Sequence, residues 1–220
     1  MGWPSLFIVS LPRSLSTVVH QHSCAALSLR SPRWTSAGEI LNGDRLAVSG
    51  AIGPRFTLPK TYLYEQLFEF LDDVVNPIGY CYKDVVQPFV VSGWLASQSL
   101  RVLRIDRPLA DVAWSMQRAR WDYPALAAAD RSNKADQMLD GLLAAYRALK
   151  ALPAETIAFD EMIADDEVLR SALGRLYPEF EVPPIGLVDE SFVGQRDSIL
   201  ERRNSAEWKA LEQRLNDLAN

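Results

Sequence analysis

The segment "FIVSLPRSLSTVVHQ", residues 7–21, joins an apolar run to a short polar loop and then to a helical pattern. The apolar run Leu6–Val9 predicts a buried strand that ends at this loop. The pattern from Ser14 to Ala26 predicts a helix, with Ser14 or Ser16 as its N-cap. The segment therefore predicts a strand, a tight loop and a helix in direct succession.

The predicted loop has the chemistry of an anion site. The start of a helix offers unpaired backbone N–H groups and the positive end of the helix dipole, and phosphate groups bind there. Arg13 adds a permanent cation. Hydroxyl donors follow it at Ser14, Ser16 and Thr17. The segment is not a Walker A loop of the form G-x-x-x-x-G-K-[ST], because no glycine lies between Gly2 and Gly38.

The rest of the chain alternates short β-rich runs with longer helical patterns. The runs "GYCYKD", "LRVLRID" and "TIAF" predict further strands. Apolar residues at spacings of three and four predict helices within residues 63–74, 138–149 and 208–218. This alternation predicts a single α/β domain with a central, mostly parallel sheet flanked by helices. Ligands of such sheets bind beyond the carboxyl ends of the strands. The predicted strand ends carry Pro12-Arg13-Ser14, Lys83-Asp84 and Asp106-Arg107.

The composition narrows the classes of protein to consider. The 220-residue chain has a formal charge of −5 and no Lys/Arg-dense run, which argues against a nucleic-acid surface. No run approaches the about 18 consecutive apolar residues of a membrane span, so a soluble cytoplasmic protein is expected. Cys24 and Cys81 are too far apart in the chain to suggest a disulfide framework, and we expect two buried thiols in a reducing compartment.

The loop after the first strand resembles a segment of the sulfotransferase family. "LPRSLSTVV" matches the family pattern P-[RK]-S-G-[ST]-T at all but one position. In that family the segment wraps the 5′-phosphosulfate of 3′-phosphoadenosine 5′-phosphosulfate (PAPS). Leu15 stands where the family has glycine. Glycine has no Cβ and so lets the backbone approach a ligand more closely. The resemblance implies that residues 10–18 bind this end of the donor through Arg13, Ser14, Leu15, Ser16 and Thr17.

A second segment resembles the site that holds the 3′-phosphate in the same family. "RVLRIDRPLADVAWSM", residues 101–116, is similar to a strand followed by R-x-P-x-D-x-x-x-S, although Pro108 comes directly after the arginine. Arg107 and Ser115 keep the family spacing of eight positions, which implies that both contact the 3′-phosphate. The alternative is that Arg107 pairs with Asp111 while Ser115 faces solvent.

A third segment, "ETIAFDEMIAD", is similar to the family's strand plus Y-E-D-L, whose role is architectural. The three segments follow the family order from residue 6 to about residue 168. The resemblance therefore implies one sulfotransferase-like domain over residues 1–220, with the P-loop NTPase-like fold of that family.

The resemblance also implies which residues act as the general base and which stabilise the leaving oxygen. The Gly-Glu pair at Glu39 is similar to the base-bearing segment of tyrosylprotein and bacterial glycolipid sulfotransferases, which makes Glu39 the expected general base. "YCYKDVV" resembles the family's K-D-P segment and places Lys83 near the sulfuryl group. Arg13 and Lys83 are expected to stabilise charge on the leaving oxygen. The alternative for Glu39 is an exposed carboxylate in a loop. The alternative for Lys83 is a lysine whose charged end reaches solvent past the end of its strand. No metal is required.

The two histidines do not suggest another catalytic site. His20 and His22 lie in the predicted helix after the loop, where two-residue spacing points them in different directions. We expect His20, His22 and Cys24 to diverge on a helix, which disfavours a zinc site. Neither histidine is placed to act as the base or to complete a Ser-His-Asp triad.

Further residues are expected around the nucleotide and the acceptor. The family closes over the nucleotide with a late basic, glycine-containing loop, so Arg196 in "SFVGQRDS" is expected near the 3′-phosphate, with Arg202 and Arg203 as competitors. Residues 117–134 form a possible lid. Trp114, Trp121 and Tyr123 favour a small apolar or aromatic acceptor, with core packing as the alternative.

Two functions of different classes remain compatible with the sequence. The first is a PAPS-dependent sulfotransferase acting on a hydroxyl or amine. The second is a non-catalytic nucleotide-binding module or a diverged P-loop kinase, suggested by Leu15 in the glycine position and by the displaced Pro108.

Overall fold

The computed structural model describes residues 3–33, 35, 38–41, 61–85, 88–119, 134–188 and 190–219. The strands within these ranges are β1 (Leu6–Ser10), β2 (Cys81–Asp84), β3 (Arg101–Asp106) and β4 (Glu155–Ala158). The helices are α1 (Ser16–Leu27), α2 (Thr61–Val74), α3 (Pro88–Leu95), α4 (Leu109–Ala119), α5 (Lys134–Ala151), α6 (Phe159–Met162), α7 (Asp166–Leu176), α8 (Glu190–Arg203) and α9 (Ala206–Ala219). Within the described ranges, no helix is long and apolar enough to cross a membrane.

The strands form one parallel sheet in the order β2-β1-β3-β4. Ile8 in β1 lies opposite Lys83 on one side and Leu103 on the other. All five residues of β1 are buried, as expected for a central strand covered on both faces. The predicted α/β class, with a parallel sheet flanked by helices, is confirmed.

Alternate residues of β1 enter two separate cores. Phe7 and Val9 pack on one face, and Leu6 and Ile8 pack on the other, because successive side chains of a strand point to opposite sides. The first core contains buried residues of α2, α3, α4, α5 and α9. The second core contains buried residues of α1, α6, α7 and α8. The sheet is therefore held rigidly between two helical layers.

The parallel arrangement brings the carboxyl ends of all four strands to one edge. The segments that leave this edge are the loop before α1, the residues after Asp84, the Arg107 turn before α4, and α6. Ser10 and Asp106 end neighbouring strands, since Ser10 pairs with Ile105. The loops that resemble the two ends of a nucleotide site are consequently adjacent.

The start of α1 differs from the sequence prediction. The helix begins at Ser16 and its N-cap is Leu15, whose side chain cannot cap it. Ser14 or Ser16 was the expected cap, and this prediction is wrong. The Leu15 carbonyl accepts the N–H groups of Val18 at 2.9 Å and Val19 at 3.1 Å, so the backbone itself closes the first turn.

Candidate functional site

The loop between β1 and α1 adopts a backbone that few side chains prefer. Arg13 and Leu15 both have positive φ, 65° and 58°. The left-handed conformation costs a non-glycine residue roughly 1–2 kcal/mol. Leu15 is half-buried and packs against the second core, which offsets part of this cost. The backbone thus keeps the conformation that glycine favours, although a leucine occupies the position.

This loop and the adjoining turn after β3 each leave a polar group buried without a partner among the described residues. Within the part of the chain that the structure describes, Ser14 Oγ and Arg107 Nε have no hydrogen-bond partner, and both residues are buried. An unmade hydrogen bond at a buried donor costs about 1–3 kcal/mol. The first turn of α1 carries no acidic residue, so nothing there neutralises the positive end of its dipole. These features fit an anionic ligand at the helix start.

Two hydrogen bonds join this loop to the segment after β3. The Nε of Arg13 donates to Ser115 Oγ at 3.1 Å, across 102 positions of sequence. The Nη1 of Arg107 donates to the carbonyl oxygen of Arg13. Ser115 is half-buried and accepts this hydrogen bond, while the contact of Arg107 and Ser115 with a phosphate stays a prediction. The two segments predicted to hold opposite ends of a nucleotide meet at one place.

Burial and neighbouring cations disfavour the charged form of Arg107. Burial lowers the pKa of Arg107 to about 10, while the charge of Asp111 opposes this shift and the cations Arg202, Arg203 and Arg13 add to it. Its guanidinium also lies 4.3 Å above the centre of the Phe159 ring. Arg107 still carries its proton at neutral pH, so a buried cation surrounded by other cations would be stabilised by a bound anion.

Asp111 anchors the C-terminal helices to this segment. The carboxylate is fully buried and accepts a hydrogen bond from Trp208 Nε1 at 2.8 Å. Arg203 donates to Asp111 and, at 2.8 Å, to Asp160. The hydrogen bonds with Asp160 and Asp111 raise the pKa of Arg203 despite its partial burial. This cluster holds α8 and α9 against α4. The contacts of Arg107 are made elsewhere, with the Arg13 carbonyl oxygen and the Phe159 ring.

A second arginine of α8 approaches the same region. The guanidinium of Arg202 lies 4.1 Å from the centre of the Trp114 ring, and Arg118 lies 4.7 Å from it. Trp114 is one residue before Ser115 and is half-buried. Positive charge therefore extends from the loop before α1 to the end of α8.

A cavity of about 230 Å³ opens beside Arg107, at the ends of β3 and β4. Its lining residues are Asp106, Arg107, Pro108, Tyr146, Ala158, Phe159 and Asp160. The lining combines a cation, two carboxylates and two aromatic rings. Because ligand pockets usually hold about 300–1,000 Å³, this cavity has room for part of a ligand.

Glu39 and Lys83 form a close ion pair at the carboxyl end of β2. Lys83 Nζ lies 2.6 Å from Glu39 Oε2, and the lysine side chain is 2% exposed against 16% for the glutamate. The backbones also pair, since Lys83 N donates to Gly38 O at 2.9 Å and Ile40 N donates to Lys83 O. The two residues that the sequence suggested separately for catalysis are therefore in direct contact.

Gly38 is required for this arrangement. Its φ is +76°, and a Cβ at this position would lie 2.2 Å from His20 Nε2. The imidazole of His20 occupies the space that a side chain would need. Only glycine combines the left-handed backbone with this close approach, which the sequence alone did not reveal.

Two solved structures whose fold is similar to that of this chain are sulfotransferases. The structure of a sulfotransferase from Alicyclobacillus acidocaldarius matches with a TM-score of 0.51 and 15% identity, over 95% of this chain and 100% of that chain. The chain has the sulfotransferase fold. A sulfotransferase domain from the curacin biosynthetic pathway matches with the same score and identity, over 98% of each chain. By sequence, the chain matches no family model and no curated protein.

Within the sulfotransferase fold, the late basic loop predicted around Arg196 is a helix. Gly194 and Arg196 lie inside α8, where Gly194 is exposed and a side chain would meet open space. A single exposed glycine costs a helix about 1 kcal/mol, which its neighbours can offset. Arg196 pairs with Asp197 at 3.3 Å, whereas the charges that reach Arg107 come from Arg202 and Arg203. The loop prediction is wrong, and the contact of Arg196 with a phosphate stays a prediction.

The sequence predicted that His20, His22 and Cys24 diverge on α1. In the structure, His22 is not a member of the cluster that contains His20 and Cys24. His20 and Cys24 are one turn apart and share a face, with Cys24 Sγ 3.7 Å from His20 Nε2. The prediction that they diverge is wrong, because residues four apart on a helix align. Cys81 joins them from β2, so the two cysteines are neighbours in space.

Several expected acceptor contacts lie outside the described residues. Trp121, Tyr123 and most of the possible lid at residues 117–134 belong to this group, and their roles stay predictions.

Proposed function

We propose that the protein is a sulfotransferase that moves a sulfuryl group from PAPS to a hydroxyl or amine of a small-molecule acceptor. The observation that carries the proposal is the contact between the loop before α1 and the segment after β3, made by the Arg13–Ser115 and Arg107–Arg13 hydrogen bonds. A donor with charged groups at both ends needs two anion sites within one trough. The sulfotransferase fold of the chain agrees with this use.

The residues that would hold the donor fall into two groups. The 5′ end would lie at the start of α1, against Arg13 and the backbone of Leu15. The hydroxyls there belong to Ser14, Ser16 and Thr17. The 3′-phosphate would lie between Arg107 and Ser115, with positive charge added from α8. Arg202 is better placed for that addition than Arg196, because its charge reaches Arg107 and its side chain stacks on Trp114.

PAPS, when bound, supplies an activated sulfuryl group on a nucleotide leaving group. Arg13 and Lys83 place positive charge at the carboxyl edge, where charge on a leaving oxygen would be stabilised without reorganisation. Glu39 accepts the proton of the acceptor hydroxyl as general base. The 2.6 Å contact with Lys83 holds the Glu39 carboxylate in one position, as a base within reach of its proton must be.

The acceptor is proposed to be a small apolar or aromatic molecule. Trp114 supports this choice, because its half-buried ring lies on the helix that carries Ser115 and stacks with the guanidinium groups of Arg118 and Arg202. Trp121 and Tyr123 would extend the aromatic wall. Aromatic rings bind apolar ligands while leaving orientation to a few polar groups.

A thermal-shift experiment tests the proposal. At about 100 times its dissociation constant, 3′-phosphoadenosine 5′-phosphate (PAP) without Mg²⁺ is expected to stabilise the protein by about 2.7 kcal/mol. For a domain of this size that corresponds to about 5–10 °C in Tm. Stabilisation by Mg·ATP alone would instead identify a diverged kinase. Binding of PAP without any transfer from PAPS across a panel of phenols, alcohols and amines would identify a non-catalytic module.

A matched pair of variants makes the binding test specific. Arg107→Gln should remove most of the PAP-induced shift, because it deletes the buried cation of the proposed 3′-phosphate site. Arg175→Gln removes an exposed arginine that pairs with Glu155 on another part of the molecule and should leave the shift unchanged. An equal response of the two variants would argue against the proposed site.

A further inference from the structure

Three side chains with soft or basic atoms meet between α1 and β2, and the proposed transfer uses none of them. His20 Nε2, Cys24 Sγ and Cys81 Sγ all lie within 4.8 Å of one another. We call His20, Cys24 and Cys81 the thiol cluster. It lies directly beneath Gly38, since the His20 ring fills the space beside the Gly38 Cα.

The two cysteines of the thiol cluster differ in access. Cys24 is half-buried, whereas Cys81 is fully buried in β2. A small reagent in solvent therefore meets the sulfur of Cys24 first. Cys81 lies behind it as an internal partner.

The two thiols also differ in protonation. Contact with the Cys81 thiol lowers the pKa of Cys24 below its ordinary value against the effect of burial, and His20 adds to the lowering. Burial raises the pKa of Cys81. At neutral pH the pair therefore favours one thiolate and one thiol, which is the combination that thiol oxidation and exchange require.

The hydrogen bonds of His20 argue against a metal centre at the thiol cluster. Nε2 faces the carbonyl oxygen of Cys81 at 2.9 Å. A carbonyl only accepts, so Nε2 carries the proton and offers no lone pair to a cation. Nδ1 is buried and has no partner within the described chain, whereas a ligating histidine normally donates through its second nitrogen. The cluster therefore has the features of a dithiol.

We propose that Cys24 and Cys81 form a reversible disulfide under a peroxide oxidant, and that this bond lowers transfer at the adjacent Glu39–Lys83 pair. The Cys24 thiolate attacks one peroxide oxygen, an S–O bond forms, the O–O bond breaks and hydroxide leaves. The Cys81 sulfur then attacks the Cys24 sulfur, an S–S bond forms, the S–O bond breaks, and the Cys81 proton leaves with the oxygen as water. The two sulfurs together lose two electrons, and hydrogen peroxide gains them.

The coupling to Glu39 and Lys83 follows from two contacts. Cys81 and Lys83 are alternate residues of β2, so their side chains share one face of the strand. Disulfide formation brings the two sulfurs to about 2 Å, so the His20 ring, which contacts Cys24 Sγ and lies beside Gly38, must adjust its packing. Gly38 directly precedes Glu39, so a shift of this ring reaches the segment that carries the carboxylate. This effect on transfer rests on the proposed function, but formation of the bond does not.

Chemical labelling of the full chain tests the bond itself. Reduced protein is treated with one equivalent of hydrogen peroxide, denatured, alkylated with iodoacetamide and mapped by peptide mass spectrometry. We expect a Cys24–Cys81 peptide pair lighter by two hydrogens, no alkylation of either cysteine, and recovery of both thiols with dithiothreitol. Cys24→Ser should leave Cys81 fully alkylated. Oxygen added to Cys24 with Cys81 still free would overturn the proposal, and so would zinc that must be chelated before the thiols react.

Turnover measured on the same samples tests the coupling. Oxidation should lower transfer about tenfold or more, since small displacements of catalytic groups have large effects on rate. Cys24→Ser should keep its activity under peroxide. A disulfide that leaves turnover unchanged would overturn the coupling. Absence of transfer in the reduced protein would count against the proposed function and not against the disulfide.

Discussion

The loop before α1 and the cluster around Asp111 are both polar, both partly buried and both attached to the carboxyl edge of the sheet. At Asp111, the buried carboxylate is matched by Arg203 and Trp208. In the loop, Ser14 Oγ lies buried without a partner within the described ranges, as does Nε of the adjoining Arg107, and two loop residues have positive φ. Buried polar groups are normally satisfied, so the difference separates a region that supports the fold from one whose unpaired groups fit the proposed ligand.

The largest expected effect is on turnover and concerns Glu39, the proposed general base. Glu39→Gln keeps a hydrogen-bond acceptor for Lys83 but removes the general base, so turnover should fall about 10²–10⁴-fold. The PAP-induced thermal shift should stay unchanged. Steady-state assays with PAPS and calorimetry with PAP measure the two quantities. Glu167→Gln, at an exposed i,i+3 pair with Arg170, is the control, and an active Glu39→Gln enzyme would exclude Glu39 as the base.

The supporting region should respond in stability. Asp111→Ala leaves Arg203 and the Trp208 N–H without their buried partner, and breaking such a pair costs about 3–5 kcal/mol. Thermal unfolding should show a Tm lower by about 10 °C. Asp197→Ala, which removes an exposed carboxylate paired with Arg196, should have almost no effect. A small change for Asp111→Ala would mean that the cluster does not hold the C-terminal helices.

Ser115→Ala tests whether the meeting point of the two segments binds the donor. The hydroxyl accepts an exposed hydrogen bond from Arg13 in the free protein, whereas a hydrogen bond from Ser115 to the charged phosphate of bound PAP would be worth about 1.5–3 kcal/mol. PAP affinity measured by calorimetry should fall about 10-fold, with Tm of the free protein little changed. Ser97→Ala, which loses only a turn contact to the Trp94 carbonyl and an edge contact to Gln98, should bind PAP normally.

The smallest expected effect concerns Leu15. Leu15→Gly removes both the left-handed cost and the apolar packing of the side chain, so we expect Tm to move by less than about 3 °C. Leu15→Val keeps an apolar group but places a β-branched residue at positive φ, where it is strained, and should lower Tm by about 5 °C. If valine were tolerated as well as glycine, the left-handed conformation would not control this position.

The sequence predicted the elements that depend on local chemistry. The apolar run of β1 and the helical spacing of α1 are local patterns, and both elements form where they were expected apart from the cap. The strand order and the Arg13–Ser115 bond depend on residues 102 positions apart, for which one sequence contains no direct signal. The family resemblance implies that both segments bind one nucleotide, which stays a prediction, and the structure places the two segments side by side.

The failures have identifiable physical causes. The loop expected around Gly194 and Arg196 is part of α8, because the neighbouring residues favour helix more strongly than one glycine opposes it. Cys24 and Cys81 looked unrelated because 57 positions separate them in the chain, whereas α1 packs directly on β2 and brings their sulfurs together. Local helix propensity decided the first outcome and tertiary packing decided the second.

The outer edge of β2 is covered by the segment that carries Glu39, and this cover also protects the sheet from aggregation. β2 is at one side of the described sheet, and a bare strand edge is a template for joining another molecule. Its outer backbone groups are instead met by Arg30, Gly38, Ile40 and His20. The segment that presents Glu39 therefore also blocks strand addition, and a change that loosens it would expose the molecule to self-association as well as disturb the Glu39–Lys83 pair.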